Sequence, residues 1–182
     1  AVTAAGEYIV FLNPDANLQP GCVASLVTAF KGQPVPTIVG ARVLNTDGTE
    51  QRGGRRGEVT PISTVLSFGQ LTRRYPKLAA FEIHRENEPL PPGPAPMPTI
   101  SGACFAMRRA DFVALKGFDE GYFLHVEDID LCWRARRAGG QVLFQPNAQV
   151  IHLGHTSLEH PVKVEFHKGV GLTRYFIKRA DS

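Results

Sequence analysis

Tyr8-Ile9-Val10-Phe11-Leu12 is an unbroken apolar run, followed at once by Asn13-Pro14-Asp15-Ala16-Asn17. Such a run reads as a β-strand buried on both faces, and proline then ends the ladder because it has no N–H to donate. Asparagine and aspartate favour the turn that follows, so Asp15 is expected to project from the carboxyl end of a central strand. In open α/β sheets ligands gather at that edge. Taken by itself, the same aspartate is an ordinary turn residue.

A chain of 182 residues suffices for one domain with a sizeable core. With 43% hydrophobic and 20% charged residues it has the make-up of an ordinary globular protein. The formal net charge of +3 suits phosphate-bearing ligands or an anionic surface, and nucleic acid is not indicated. Cys22, Cys104 and Cys132 are odd in number and widely spaced, which suggests neither a disulfide framework nor a zinc site and fits a reducing cytoplasm. The longest apolar runs fall far short of the ~20 residues a membrane helix needs, which leaves peripheral contact as the open form of membrane association.

Along the chain, Pro20-Gly21 opens a helix whose Val23, Leu26, Val27 and Phe30 form an apolar stripe, read as core. Residues 37–44 read as a strand, and Asn45-Thr46-Asp47-Gly48-Thr49 as a hairpin turn. Arg52, Arg55 and Arg56, set among Gly53, Gly54 and Gly57, can meet a phosphate, but their composition favours a mobile, solvated loop. Residues 61–77 are amphipathic, with Ile62, Val65, Leu66, Phe68 and Leu71 on one side and Arg73, Arg74 and Lys77 at the end. That pattern suits a membrane interface or packing against the domain.

Residues 84–98 form a Pro-rich loop, and 99–108 read as a strand entered through a tight Ser101-Gly102 turn. A short helix from Arg109 to Lys116 ends at Gly117. Residues 141–144 and 148–152 read as two strands separated by Pro146-Asn147, the second ending at His152.

Glu127, Asp128 and Asp130 crowd the start of a further helix, in which Leu131, Ala135 and Ala138 recur at helical spacing before Gly139 closes it. The helix dipole favours ionised carboxylates at that end. Ordinary capping explains them as well as function does.

Five segments in order, Asn13-Pro14-Asp15-Ala16, Ser101-Gly102-Ala103-Cys104, Gly117-Phe118-Asp119-Glu120, Glu127-Asp128-Ile129-Asp130-Leu131 and Val150-Ile151-His152, resemble the family 2 inverting glycosyltransferases of GT-A fold. The rhamnosyltransferase-like branch is the nearest match, from near residue 1 to about residue 157. The resemblance implies a single α/β domain with a mixed sheet flanked by helices; residues 158–182, beyond it, are expected to form a helical C-terminal extension.

It also implies a division of labour. Asp15 and His152 map onto ligands of a divalent metal, Mg or Mn, on the diphosphate of a nucleotide-sugar donor. Asn13 stands where the family often has an earlier carboxylate, beside that diphosphate. Asp128 takes the role of general base, Glu127, Ser101 and Gly102 border the acceptor pocket, and Arg134 faces the diphosphate. Displacing a nucleoside diphosphate from an anomeric carbon needs charge neutralisation on the leaving group and a carboxylate on the opposite face to activate the incoming hydroxyl.

The resemblance begins part-way into the family's domain, without the opening βα units that bind nucleobase and ribose. An N-terminally truncated domain is therefore expected, with weakened donor affinity and an open sheet edge that invites self-association. The function implied is transfer of a sugar, such as rhamnose from dTDP-rhamnose, to a cell-envelope glycan or lipid-linked acceptor, in the cytoplasm at the inner face of the membrane. Two other readings stay open: an inactive glycosyltransferase-derived scaffold module, and a metal-dependent phosphohydrolase built on the same Asp and His.

Overall fold

The computed structural model describes residues 4–68, 71–123, 125–154 and 161–181. Its first half runs through strand β1 (Tyr8–Leu12), strand β2 (Ala16–Leu18), helix α1 (Cys22–Thr28), strand β3 (Thr37–Leu44) and strand β4 (Arg55–Arg56). Helices α2 (Pro61–Phe68) and α3 (Leu71–Arg74) and a 3-10 turn over Pro76–Phe81 follow. Strands β5 (Ala95–Pro96), β6 (Thr99–Ile100) and β7 (Cys104–Arg108) lead into helices α4 (Arg109–Ala114) and α5 (Glu127–Arg137). Strand β8 (Gln141–His152) and helix α6 (Pro161–Ala180) complete it.

The main sheet has the order β1-β7-β3-β8-β2, with β5 also on β8, and β4 pairs with β6 apart from it. Only β3 and β8 run parallel, so the sheet is mixed. Strand alternation divides its side chains between two cores. Cys104 and Ala106 of β7 pack with Leu26 of α1 and Phe30 just beyond it on one face. Phe105 and Met107 pack with Phe112 of α4 and Leu131 and Ala135 of α5 on the other. Truncating the buried Phe105 to alanine would cost about 3–5 kcal/mol, since both transfer energy and a cavity are lost. A third cluster joins Trp133 and Ile129 of α5 to Tyr175 of α6.

Several expectations change. Strand β1 is packed on both faces but ends the sheet instead of lying at its centre, with β7 as its one partner among the described residues. The turn at residues 13–15 passes directly into a strand, because residues 16–18 pair with the end of β8. In α1 it is Cys22 that turns inward, while Val23 is 41% exposed. The strand expected over 99–108 is two strands in different sheets, broken at residues 101–103. The two strands expected over 141–152 are one. Pro146 is tolerated within β8 because the register to β3 jumps from Ala41↔Gln145 to Arg42↔Gln149, leaving residues 146–148 in a bulge that owes no ladder bond.

The amphipathic segment at 61–77 is turned the other way from its apolar pattern. Ile62 and Val65 are 62% and 68% exposed, while Ser63, Ser67 and Thr72 are buried. The inward hydroxyls have work there: Thr60 and Ser63 cap the start of α2 reciprocally, and Ser67 Oγ accepts the Ile83 N–H at 3.3 Å. No helix among the described residues is long and apolar enough to cross a membrane. The C-terminal extension expected over 158–182 lies partly outside the described residues, and within them it is α6.

Candidate active site

The register of β2 on β8 pairs Ala16 directly with His152, so Asp15 is delivered to the end of β8. Asp15 Oδ1 lies 3.1 Å from His152 Nε2, and Asn13 Nδ2 lies 3.2 Å from the same nitrogen. The other ring nitrogen, Nδ1, meets Gln51 Oε1 at 2.7 Å. Gln51 Nε2 donates to Asn45 Oδ1 and to the His152 carbonyl, at 3.2 Å each. With the amide held that way round, Oε1 is the acceptor and Nδ1 carries the proton.

Nε2 then faces contradictory partners, for it cannot both accept from Asn13 and donate to Asp15. A cation between imidazole and carboxylate removes the contradiction. Two donors each about 2.0–2.2 Å from a metal and at right angles lie roughly 3 Å apart, and the observed separation is 3.1 Å. The two side chains retain 15% and 16% exposure, so a ligand can reach them. No group of three or more His, Cys, Asp or Glu residues able to hold a metal occurs among the described residues. Water or substrate oxygens would have to complete the shell, as is usual for Mg.

A second group of residues gathers at the start of α5. Asp128 Oδ2 accepts the Gly102 N–H at 2.9 Å and is ion-paired with Arg56, while Oδ1 accepts the Ile129 N–H at 2.8 Å. The preceding His125 and Val126 hold left-handed φ values of 62° and 73°, a conformation that a β-branched residue keeps only where its surroundings enforce it. Burial, and then the Asp128 charge, raises the Glu127 carboxyl above the ordinary glutamate range. Its Oε2 is buried without a hydrogen-bond partner among the described residues.

The two groups share one turn. Asn13 N–H donates to the Ala103 carbonyl at 3.0 Å on one side of residues 101–103, and Gly102 N–H binds Asp128 on the other. Ser101 Oγ accepts the Ala103 N–H at 3.2 Å, which holds the turn in shape.

Arg134, expected to face a diphosphate, is occupied inside the fold. Its Nε donates to Asp130 at 2.6 Å, its NH2 group to the Gly117 carbonyl at 2.7 Å, and NH1 to the Leu115 carbonyl. Asp130 is fully buried and also receives Lys178 Nζ of α6 at 2.7 Å and Tyr122 Oη at 3.2 Å. These bonds anchor α5 to α6 and to residues 115–117.

Nor do Arg55 and Arg56 lie in a solvated loop, although Arg52 is exposed. Strand alternation sends Arg55 and Arg56 to opposite faces of β4. Arg55 is 2% exposed, bonded to Glu50 at 2.6 Å and stacked over Phe144. Arg56 donates to Asp128 and, at 2.9 Å, to the Ile100 carbonyl. Gln51 and Arg56 thus tie one short segment to both halves of the site.

Glycosyltransferase like family 2 matches the chain over residues 2–167. The chain belongs to that family. The N-acetylglucosaminyl-diphospho-decaprenol L-rhamnosyltransferase of Mycobacterium tuberculosis is 30% identical over 152 residues, covering 80% of this chain and 47% of the relative. The chain therefore spans about half the length of that relative. Rhamnosyltransferase WbbL of Escherichia coli K12 is 44% identical over 55 residues, 30% of this chain and 21% of its own. The solved structure of GalNAc-T7 with UDP, GalNAc and Mn2+ matches with a TM-score of 0.52 at 19% identity, covering 81% of this chain and 28% of that one. That likeness is one of fold, a GT-A-like mixed sheet flanked by helices.

Of the positions that resemblance to family 2 singles out, Asn13, Asp15 and His152 meet in one group, and Ser101, Gly102, Glu127 and Asp128 in the other. Arg134 joins neither. Gln51 goes unrecognised in the sequence, and Arg56, weighed there for a phosphate, reads as part of a solvated loop. The hairpin at 45–49 was a partial signal, because it turns the chain back so that the Gln51 N–H reaches the Val43 carbonyl at 2.8 Å.

Proposed function

We propose that this chain carries the catalytic centre of an inverting glycosyltransferase that moves a sugar, with rhamnose the leading candidate, from a nucleoside diphosphate to a glycan or lipid-linked acceptor of the cell envelope. The observation that carries the reading is the arrangement around residues 101–103. A donor pair of metal-ligand type, Asp15 with His152, flanks that turn on one side, and a carboxylate of the base type, Asp128, flanks it on the other. The two mycobacterial and enterobacterial relatives support the sugar by name.

In this reading Asp15 and His152 hold a divalent cation, Mg or Mn, which when bound neutralises charge on the departing diphosphate. Asn13 Nδ2 stands beside them to donate to a diphosphate oxygen. Asp128 takes the proton of the acceptor hydroxyl as its oxygen bonds to the anomeric carbon and the bond to the diphosphate breaks, so configuration inverts in one displacement. Ser101, Gly102 and Glu127 shape the acceptor side. Arg134 serves by anchoring α5, not by touching the donor. In this reading the reaction takes place in the cytoplasm, at the inner face of the membrane.

The test is transfer of radiolabelled rhamnose from dTDP-rhamnose to a short-chain prenyl-diphosphate N-acetylglucosamine. Asp128→Asn is expected to lower kcat by roughly 10²–10⁴-fold while dTDP affinity stays as in the wild type. Undiminished transfer by that variant would overturn the reading.

A further inference from the structure

Asp128 as it stands is poorly disposed to act as a base. A carboxylate offers about four lone-pair positions, and Gly102 N–H, Ile129 N–H and the Arg56 guanidinium already occupy three of them. The two amide donors belong to the backbone and stay. Arg56 is different, because it reaches Asp128 from β4, at a sequence separation of 72 residues, as a side chain 16% exposed. Its remaining bond is to the Ile100 carbonyl at 2.9 Å, and its Nε is buried without a hydrogen-bond partner among the described residues. Arg52, exposed on the same segment, adds a second positive charge that acts with Arg56 on neighbouring His84.

The partly exposed Arg56 guanidinium is suited to a phosphate oxygen, which such a group can bind through two parallel N–H bonds. We propose that Arg56 is the acceptor-recognition residue of this site: it exchanges the Asp128 carboxylate for a phosphate of a diphosphate-linked acceptor, and so frees the base only when an acceptor of that class is bound. The inference rests on the glycosyltransferase reading and adds to it the residue that recognises the acceptor's phosphate. Arg56 holds the carboxylate of the proposed base, which assigns it to the acceptor phosphate and not to the donor's.

The experiment compares wild type, Arg56→Gln and Arg56→Lys on two acceptors, a short-chain prenyl-diphosphate N-acetylglucosamine and the octyl glycoside of the same sugar. Calorimetric titration with each acceptor and with dTDP runs in parallel, and thermal melting checks folding. For Arg56→Gln, KM and Kd for the diphosphate acceptor are expected to rise by at least tenfold, the loss of one charged hydrogen bond. Its kcat on the octyl glycoside should rise and dTDP affinity should stay unchanged. Arg56→Lys should fall between the two. Equal loss on both acceptors, loss of dTDP affinity, or no change on either would overturn the assignment. If wild type binds the diphosphate acceptor through Arg56 yet transfers sugar to neither compound, the glycosyltransferase reading fails while acceptor recognition stands. If wild type transfers sugar to both equally well, that reading stands and this one falls.

Discussion

Gln51 Oε1 accepts the Nδ1–H of His152 at 2.7 Å, across a sequence separation of 101 residues. The bond fixes which imidazole nitrogen faces Asp15, and a partner of this kind orients a metal-binding histidine. Gln51→Leu is therefore expected to weaken Mn2+ binding by about 10–100-fold, read by titration monitored through the electron spin resonance of the free ion. Asp15→Asn should weaken it further. Unaltered Mn2+ affinity in the leucine variant would show that the glutamine only supports the hairpin.

Glu127 offers a test through acid titration. Its folded pKa is raised, so the folded state holds the proton more tightly than the unfolded chain does. Ionised Glu127 thus costs stability above its folded pKa, and the cost is absent below the unfolded value of about 4.3. Glu127→Gln should unfold at higher denaturant concentration than wild type at pH 7.5, by about 1–3 kcal/mol, and the advantage should vanish near pH 4. An advantage that persists at pH 4 would point to packing instead of charge.

His84 should respond in the opposite sense. Burial, then the Arg52 charge, holds it down to about 4. Between the unfolded value of about 6.5 and that lower one, the unfolded chain binds a proton that the folded protein refuses, so stability falls as pH falls through this window. His84→Gln removes the effect, and urea unfolding at half-unit intervals should give a shallower slope for the variant from pH 6.5 to 4.5. Parallel slopes would contradict the burial of a neutral imidazole.

Arg134→Met separates anchoring from donor contact. Its loss leaves Asp130, at zero exposure, ion-paired with Lys178 among the described residues, and breaking a buried pair costs about 3–5 kcal/mol. The variant should melt lower and lose α6 to limited proteolysis, with dTDP affinity per folded molecule preserved. A fully stable variant that no longer binds dTDP would restore the diphosphate role.

Local chemistry made part of this protein legible in its sequence. An apolar run stopped by Asn13-Pro14-Asp15, a glycine-bearing turn at 45–49 and an acid-rich helix start at 127 each depend on residues adjacent in the chain, so their propensities suffice to place β1, the hairpin and α5. Asp15, Asp128 and His152 stood out for the same reason, each at the end of a recognisable element. Which elements become neighbours is another matter. Strand β1 at the edge of the sheet, the single bulged β8, and α2 turned with its serines inward were decided by register and by which backbone groups needed partners. Gln51 and Arg56 lie in a glycine-rich segment with no periodicity, and only the pairing of β4 with β6 and the return of the hairpin set them against His152 and Asp128. Propensity acts over a few residues, whereas a site is made by side chains a hundred residues apart, whose meeting depends on the free energy of the whole packed chain.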